Sequence, residues 1–296
     1  MRRAAAHLLS ARSRSAGGID IGWPGGAGFA RMPLMTTSRE YLQAYDRQLR
    51  TGAESAGAVS VVRLGPLWLV TFAGGRGFVT CQDLGGAGAV RIAGWVGEVL
   101  AYYRADAAIT RVEWKTRGHD RAPGLHDALV CSGFVAGEPE SVMIGEARRL
   151  AVDVALPGGV GLREVTSEPD VRAMCAMQAG VFGDPDAGGT ADAVLRRLAA
   201  GDGMQLWVAE AGGQIVSAGR LEPVAGTGFA GIWGGATRPQ WRGRGIYRAL
   251  TAARARSALA LGKPLMHSDS TEFSRPVLER AGLVKVSTTT PYLWRR

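Results

Sequence analysis

Hydrophobic and polar positions in the second half of the chain predict an ordered succession of strands and helices. The segments VGLREVT and MQLWVAE are predicted strands, and SEPDVRAMCAMQAGVF is a predicted helix. Ser167 is expected to cap this helix, because Pro169 suits its first turn and Asp170 completes a pattern like a capping box. From residue 160 onward the predicted order is strand, two helices, three hairpin-linked strands, helix, strand, helix, strand. This is a mixed α/β pattern rather than the strict alternation of a doubly wound parallel sheet.

The first half of the chain contains a similar set of elements. Its predicted helices are TTSREYLQAYDRQLR, with Ser38 as the expected cap, AGWVGEVLAYYR, and GLHDALVCSGFV, which ends at Gly133. ITRVEWKT alternates as a strand does, AVSVVRLGPLWLVTF is predicted to form strands around a turn, and ESVMIG is a predicted closing strand.

An internal echo links the two halves. LHDALVCSGFV and SRPVLERAGLV each place a short helix before a glycine and an apolar residue, and Gly133 and Gly282 are 149 positions apart (282 − 133). This offset is about half the chain, and VDVALPGG is a suitable linker near residue 155. We therefore predict a tandem repeat of one fold, with domains at 35–150 and 155–296.

The first 34 residues predict an unstructured extension. They are rich in arginine, serine, glycine and proline, with Met35 as the more natural beginning of the folded protein. The absence of acidic residues from RRAAAHLLSARSRSAGG is also typical of a transit peptide, which stays an alternative.

Composition excludes several classes of protein. The chain has 296 residues, 46% of them hydrophobic, and no apolar run approaches the roughly 18 to 20 residues of a membrane span. The three cysteines, Cys81, Cys131 and Cys175, form no CxxC pair, so we expect neither a disulfide framework nor a zinc site, and a cytoplasmic location. The sequence leaves a homodimer open.

The net charge of +9 is uneven along the chain. Residues 1–34 carry +4, residues 35–150 carry +1 and residues 151–296 carry +4, nearly all of it from arginine. No basic stripe with interleaved aromatic residues accompanies this charge, so we expect no nucleic-acid partner.

The segment GGATRPQWRGRGIYRAL, residues 234–250, carries the most specific chemical signal. It places glycines and arginines where a strand turns into a helix, so backbone N–H groups and the positive end of the helix can face one anion. Arg242 and Arg244 would add full charges. The segment lacks the GK[ST] of a P-loop, and Arg248 stands where the third glycine of GxGxxG belongs, which disfavours a dinucleotide. The alternative is a Gly/Arg turn without a ligand.

This segment resembles the pyrophosphate loop of the GNAT superfamily, the GCN5-related N-acetyltransferases. The family pattern Q/R-x-x-G-x-G/A is matched from Arg242 to Tyr247, and SRPVLERAGL resembles the family's late helix. The predicted element order of residues 160–296 is also that of the family. The first half resembles it only in architecture, because no R-x-x-G-x-G occurs between residues 35 and 150. The resemblance implies two GNAT copies in tandem, each a mixed and mostly antiparallel sheet flanked by helices, with a degenerate first copy that has no cofactor site.

The resemblance also implies a binding site for acetyl-CoA, used as a co-substrate. The strand before the loop would bind the pantetheine arm as an added strand through Gly235, Ala236 and Thr237. The diphosphate would lie on the loop and the first helical turn, formed by Arg242, Gly243, Arg244, Gly245, Ile246, Tyr247 and Arg248. Tyr247 departs from the family's glycine or alanine, and Leu278 replaces the family's tyrosine acid.

The resemblance does not identify the acid–base residues. Glu222 and Asp269 are candidate bases working through water, and Tyr292 is a candidate proton donor; a solvated or packing role is the alternative for each. The pairs His119-Asp120 and His126-Asp127 have no cysteine partner, so no metal site is predicted.

The function implied is transfer of an acetyl group from acetyl-CoA to a primary amine by direct attack on the thioester. The acceptor, a small molecule or a peptide, would lie over the loop 183–190 and the hairpin 222–228. A non-catalytic acyl-CoA-binding regulator, favoured by Leu278, and a nucleic-acid-binding protein are the competing interpretations.

Overall fold

Twelve strands join in one continuous sheet across residues 37–296, which are the residues that the computed structural model describes. The predicted extension 1–34 lies outside them. The sheet is mixed and mostly antiparallel, as predicted, and its two parallel pairings are β3 with β4 and β10 with β11. No helix among the described residues is both long and apolar enough to cross a bilayer.

The first half begins at a capped helix and ends at a strand. Thr37, not the predicted Ser38, caps the first helix, because the Thr37 side chain accepts from the Glu40 amide while the Glu40 carboxylate accepts from the Thr37 amide. The elements are α1 (Ser38–Gln48), β1 (Ser60–Leu64), β2 (Leu67–Phe72), β3 (Arg76–Cys81), α2 (Ala89–Ala105), β4 (Arg111–Arg117), α3 (Leu125–Cys131), β5 (Val135–Ala136), β6 (Glu140–Glu146) and α4 (Ala147–Leu150).

The second half follows the predicted order. Its first helix is capped by Ser167 with Pro169 in the first turn, as predicted, because the Ser167 hydroxyl accepts from the Asp170 amide. The elements are β7 (Val160–Val165), α5 (Glu168–Phe182), α6 (Ala187–Ala200), β8 (Gln205–Ala211), β9 (Gln214–Pro223), β10 (Phe229–Thr237), α7 (Ile246–Ala260), β11 (Leu265–Ser270), α8 (Arg275–Ala281) and β12 (Val284–Arg295).

The two copies exchange their last strands. The strand order is β1-β2-β3-β4-β12-β6-β11-β10-β9-β8-β7, with β5 paired to β12. Both neighbours of β6, which are β11 and β12, belong to the second half. All neighbours of β12, which are β4, β5 and β6, belong to the first half. The repeats therefore share one sheet.

The two faces of the sheet around β10 and β11 are covered by different helices. Ala230 and Ile232 pack in one cluster with Ala255 and Ala258 of α7 and with a residue of α8, and we call this side the α7 face. Phe229 packs in another cluster with residues of α1, and we call this side the α1 face. Because side chains alternate along a strand, Gly231, Trp233, His267 and Asp269 lie on the α1 face.

The strand exchange predicts that neither half folds alone. Separate fragments 35–150 and 155–296 each lose every neighbour of one central strand, β6 in the first and β12 in the second. We expect each fragment alone to lack a cooperative thermal transition by circular dichroism, and the two to co-purify and regain one when they are co-expressed. A fragment 155–296 that unfolds cooperatively near the melting temperature of the whole chain would contradict this expectation.

Candidate functional site

The arginine–glycine loop, residues 238–245, joins β10 to α7 through a short 3-10 turn, Pro239–Trp241. Gly243 and Gly245 have φ angles of +73° and +77°, a conformation that side chains rarely adopt. Arg238 holds the loop to the sheet, because its Nε donates to the Ile215 carbonyl at 2.9 Å. The glycines thus allow a sharp strand-to-helix turn.

The backbone amides of residues 243–248 donate to no acceptor among the described residues. The cap position of α7 is Gly245, which offers no side-chain acceptor, whereas α1, α5 and α6 are each capped by a side chain. The first N–H groups of a helix have no intrahelical partner, and they carry a partial positive charge. The start of α7 therefore presents a set of free donors at the protein surface.

The backbone pairing of β10 with β11 ends before this loop, and we call the place where the two strands part the cleft. The parallel pairing runs only from Phe229 with Leu265 to Gly231 with His267, although β11 continues to Ser270 along its other neighbour, β6. β10 also bulges against β9 between Trp233 and Ala236, where Gly234 has a φ of +60°. Beyond Gly231 the backbone of β10 is therefore no longer paired with that of β11, and the Ser268 hydroxyl of β11 bridges to β10 at Ile232.

Neighbouring side chains satisfy several carbonyl groups on this part of β10. Gln178 Nε2 donates to the Gly234 carbonyl at 2.5 Å, Ser217 Oγ donates to the Ala236 carbonyl at 2.8 Å, and Ser268 Oγ donates to the Ile232 carbonyl at 3.0 Å. These bonds hold the bulged strand in place. The structure therefore places the predicted residues Gly235, Ala236 and Thr237 on a fixed strand at the cleft.

The side chain of Tyr247 turns onto β10. A Cβ atom at Gly235 would lie 2.6 Å from Tyr247 Cε2 and 2.7 Å from its hydroxyl oxygen, so the ring occupies the space that a side chain at 235 would need. Arg254 is fully buried below it, with its guanidinium carbon 5.7 Å from the ring centroid. Tyr247 replaces the glycine or alanine of the GNAT pattern, and its ring fits because the residue facing it on β10, Gly235, has no side chain.

The remaining loop side chains divide between solvent and core. Arg242 is exposed and donates to the Thr237 carbonyl at 3.0 Å, and Arg244 is exposed with its guanidinium 5.0 Å from the ring centroid of Trp241. Arg248 is exposed as well, whereas Ile246 is buried, so the side chain of Ile246 serves the core. The structure brings the predicted loop residues to one end of α7.

Both candidate bases, Glu222 and Asp269, lie on the α1 face near the cleft, and both form ion pairs. Glu222, opposite Gly231 in the sheet, accepts from Arg220 and Arg197, each at 3.0 Å. Asp269 accepts from Lys115 Nζ of the first half at 2.7 Å. Burial alone would raise the pKa of Asp269, but the charge and hydrogen bond of Lys115 outweigh burial and leave that pKa below its usual value.

Tyr292 lies elsewhere. It packs in the core of the first half with residues of α2 and α3, and its hydroxyl is 2.7 Å from Nδ1 of His126. The structure does not bring Tyr292 to the arginine–glycine loop. Leu278 of α8 is buried in the cluster on the α7 face.

Three of the four residues in the histidine–aspartate pairs, His119, Asp120 and His126, make contacts with other side chains. Asp120 accepts from both terminal nitrogens of the buried Arg50 at 2.8 Å, and His119 contacts Asp46 and Ser287. Among residues 37–296 no group of three or more His, Cys, Asp or Glu side chains is arranged to hold a metal ion.

Three polar residues near the cleft escaped the sequence analysis. His267 stands where β10 leaves β11; its Nε2 is buried without a partner among the described residues, and burial lowers its pKa to about 4. Lys115 and Glu140 come from the first half. No local motif marks any of them, because their positions at the cleft depend on which strands are neighbours in the sheet.

The contact between Gly235 and Tyr247 predicts a non-additive pair of substitutions. Gly235→Ala should lower the free energy of unfolding by about 1–3 kcal/mol, because the new methyl overlaps the Tyr247 ring. In a Tyr247→Ala background the same change should cost much less, as measured by urea unfolding. Gly161→Ala, on β7 with nothing within 4 Å of the new Cβ, is the matched control. Equal costs of Gly235→Ala in both backgrounds would contradict the contact.

The ion pair between the halves predicts a pH-dependent loss of stability. Lys115→Met should cost about 3–5 kcal/mol at pH 7, because Asp269 is then a buried charge without its partner. The paired Asp269 has a lowered pKa, so its stabilisation is present above the unfolded pKa near 3.8 and is lost as the pH falls below that value. Without Lys115 the pKa of Asp269 should rise, so the cost should shrink toward pH 5.

Urea unfolding at pH 7 and pH 5 checks this expectation. The control is Lys285→Met, which removes an exposed lysine. A cost for Lys115→Met that is as small as the control, or that is equal at both pH values, would show that the pair does not stabilise the fold.

No model of a known protein family and no curated protein matches the chain. Among solved structures it is similar to a GCN5-related N-acetyltransferase from Kribbella flavida, with 17% identity and a TM-score of 0.59 over 86% of this chain and 93% of that one. It is also similar to a tandem GNAT protein from the clavulanic acid biosynthesis pathway, with 14% identity and a TM-score of 0.58 over 79% and 81%. A functionally unknown conserved protein from Staphylococcus epidermidis matches with 12% identity and a TM-score of 0.61 over 82% and 95%. The chain therefore has the GNAT fold in a tandem arrangement.

Proposed function

We propose that this protein is an acetyl-CoA-dependent N-acetyltransferase that transfers the acetyl group to a primary amine by direct attack on the thioester. The observation that carries the proposal is the group of free amides at residues 243–248, next to a strand that has left its parallel neighbour. A diphosphate needs several donors at one point, and an extended amide-bearing arm needs an unpaired strand edge.

The residues present suit such a ligand. A Cβ at Gly243 would meet nothing within 4 Å, so the backbone there is open to a ligand. The amides of residues 243–248 would donate to the diphosphate oxygens, with Arg242 and Arg244 adding charge. The backbone of Gly235, Ala236 and Thr237 would bind the pantetheine arm.

Beyond binding acetyl-CoA, the proposed reaction requires stabilisation of the oxyanion and a route for the protons. Acetyl-CoA supplies an activated acetyl group with a thiol as leaving group. A backbone N–H on β10 could stabilise the oxyanion that forms when the amine attacks. The thiol pKa near 8.5 makes a strong general acid helpful without being indispensable, so Leu278 does not exclude turnover.

A non-catalytic acyl-CoA-binding regulator is the second candidate, and the buried, apolar Leu278 favours it. Both candidates bind acetyl-CoA, and only the enzyme acetylates an amine. Release of free thiol from acetyl-CoA that depends on an added amine separates them.

Ligand-induced thermal stabilisation tests the cofactor. Acetyl-CoA or CoA at about one hundred times the dissociation constant should stabilise the native state by about 2.7 kcal/mol, which is roughly 5–10 °C for a protein of this size. NAD should give no shift. Gly245→Glu should abolish the response, because it places an acidic side chain among the amide donors.

A matched variant separates charge at the site from backbone strain. Gly262 lies just past the other end of α7, has a φ of +70° and is exposed to solvent. Gly262→Glu should therefore carry similar strain and retain the response. A folded wild-type protein that acetyl-CoA does not stabilise would exclude both candidate functions.

A further inference from the structure

The exchanged strand β6 delivers a carboxylate of the first half to the side of the cleft. Val142 of β6 pairs with Asp269 of β11, and Ser141 pairs with Ser270. Because side chains alternate, Glu140 shares the α1 face with Val142 and Asp269. Glu140 lies one residue past the Ser141–Ser270 pair, toward the carboxyl end of β11. At this end of the sheet β10 is no longer paired with β11.

Glu140 differs from three nearby carboxylates that are held by basic side chains. Asp269 is bonded to Lys115, Glu54 to Arg117, and Glu222 to two arginines. Glu140 is half-buried, and its carboxylate has no hydrogen bond or ion pair to the described residues. A carboxylate that is partly removed from water without a protein partner is available to a ligand.

The surroundings of Glu140 make it more basic than an ordinary glutamate. Burial is the main cause of its raised pKa, and the negative charges of Asp269 on β11 and Glu113 on β4 add to it. Lys115, which also faces it from β4, opposes this rise without cancelling it. A raised carboxyl pKa improves a general base at neutral pH.

A second unbonded polar atom lies on the same face. The Nε2 atom of His267 is buried without a partner among the described residues, and the rings of Phe229 and Trp233 stand edge-on to the imidazole. The α1 face therefore carries two polar groups without a partner among residues 37–296, Glu140 on β6 and His267 on β11.

We propose that the acceptor amine binds on the α1 face beside Asp269, and that Glu140, a residue of the first half, accepts its proton. This inference rests on the proposed acetyltransferase function and identifies the catalytic base and the acceptor side of the site. The first half is then a part of the active site, although it has no cofactor loop of its own.

The proton and electron balance is complete. An acceptor arriving as R–NH₃⁺ gives one proton to the Glu140 carboxylate and becomes R–NH₂. The nitrogen lone pair forms the new C–N bond, the C–S bond breaks, and the sulfur leaves with its electron pair. The tetrahedral intermediate loses the second nitrogen proton, and the products are the amide, CoA as the thiol and one proton released to solvent.

The decisive variants are Glu140→Gln, Glu140→Asp and the control Glu138→Gln, which changes an exposed glutamate two residues earlier. The acceptor probe is methylamine, because it tests the amine site without any other recognition group. Glu140→Gln should lower kcat/KM for methylamine at least about 100-fold, Glu140→Asp should restore part of it, and Glu138→Gln should match the wild type. The fall in rate toward acid pH that Glu140 causes should vanish in Glu140→Gln, leaving only the titration of the amine.

Two readouts are independent of turnover. Stabilisation by acetyl-CoA should be the same in Glu140→Gln as in the wild type, because Glu140 lies on β6, two strands from β10, and is not part of the loop proposed to bind the diphosphate. In protein labelled with ¹³C at the glutamate carboxyl, the resonance missing from Glu140→Gln should shift when methylamine is added to the acetyl-CoA-bound protein. The resonance of Glu138 should not shift.

The outcomes separate this proposal from the proposed function. Wild-type rates in Glu140→Gln, or an unmoved Glu140 resonance where acetyl-CoA binds but methylamine is not turned over, would overturn the role of Glu140 and leave acetyl-CoA binding intact. A wild-type protein that acetyl-CoA does not stabilise would overturn the proposed function, and this proposal with it.

Discussion

The backbone pairing of β6 with β11 and of β12 with β4 is the constraint on which the rest of the structure depends. Each of these pairings joins one half of the chain to the other, and together they turn two repeats into a single twelve-stranded sheet. Such long-range pairings have a high entropic cost of closure, and the strands that make them must therefore be well buried. Val142, Met143 and Ile144 of β6 are all fully buried. The exchange explains how a half without a cofactor loop can still be indispensable to the site.

The cleft separates two tasks. The side of the arginine–glycine loop offers backbone N–H donors and exposed arginines, which suits a diphosphate and an extended arm. Beside its apolar cluster, the α1 face carries charged side chains supplied by both halves, with Lys115 and Glu140 from the first, and Glu222 and Asp269 from the second. In the proposed reaction the two substrates meet through the gap that opens where β10 leaves β11, so the pairing that ends at Gly231 and His267 sets the position of the chemistry.

Local sequence patterns predicted the parts of the structure that local forces determine. Gly243 and Gly245 predicted the turn correctly, because a positive φ angle strongly favours glycine. Ser167 predicted the start of α5 correctly, because its side chain caps that helix. The predicted cap of α1, Ser38, was wrong by one position. Serine and threonine can both cap a helix, and the reciprocal hydrogen bonds with Glu40 make Thr37 the cap. The order of elements in the second half also followed from periodicity and turn residues.

What the sequence could not reveal is which strands are neighbours. A strand such as β12 shows its own alternation but not the identity of the strands beside it, so the exchange between the halves left no local mark. For the same reason the sequence did not predict that three residues lie near the cleft, namely Lys115, Glu140 and His267. Their strands, β4, β6 and β11, come together only in the folded sheet. The fit of Tyr247 against Gly235 was equally hidden, because the two residues are 12 positions apart (247 − 235) and belong to different elements.

Hydrogen–deuterium exchange of the loop amides, with and without CoA, tests the central claim most directly. These amides have no acceptor among residues 37–296, so they should exchange fast in the free protein. The account predicts that CoA slows exchange at residues 243–248, while NAD at the same concentration leaves it unchanged. Exchange at residues 243–248 that stays fast at saturating CoA would contradict the claim that this loop binds the cofactor.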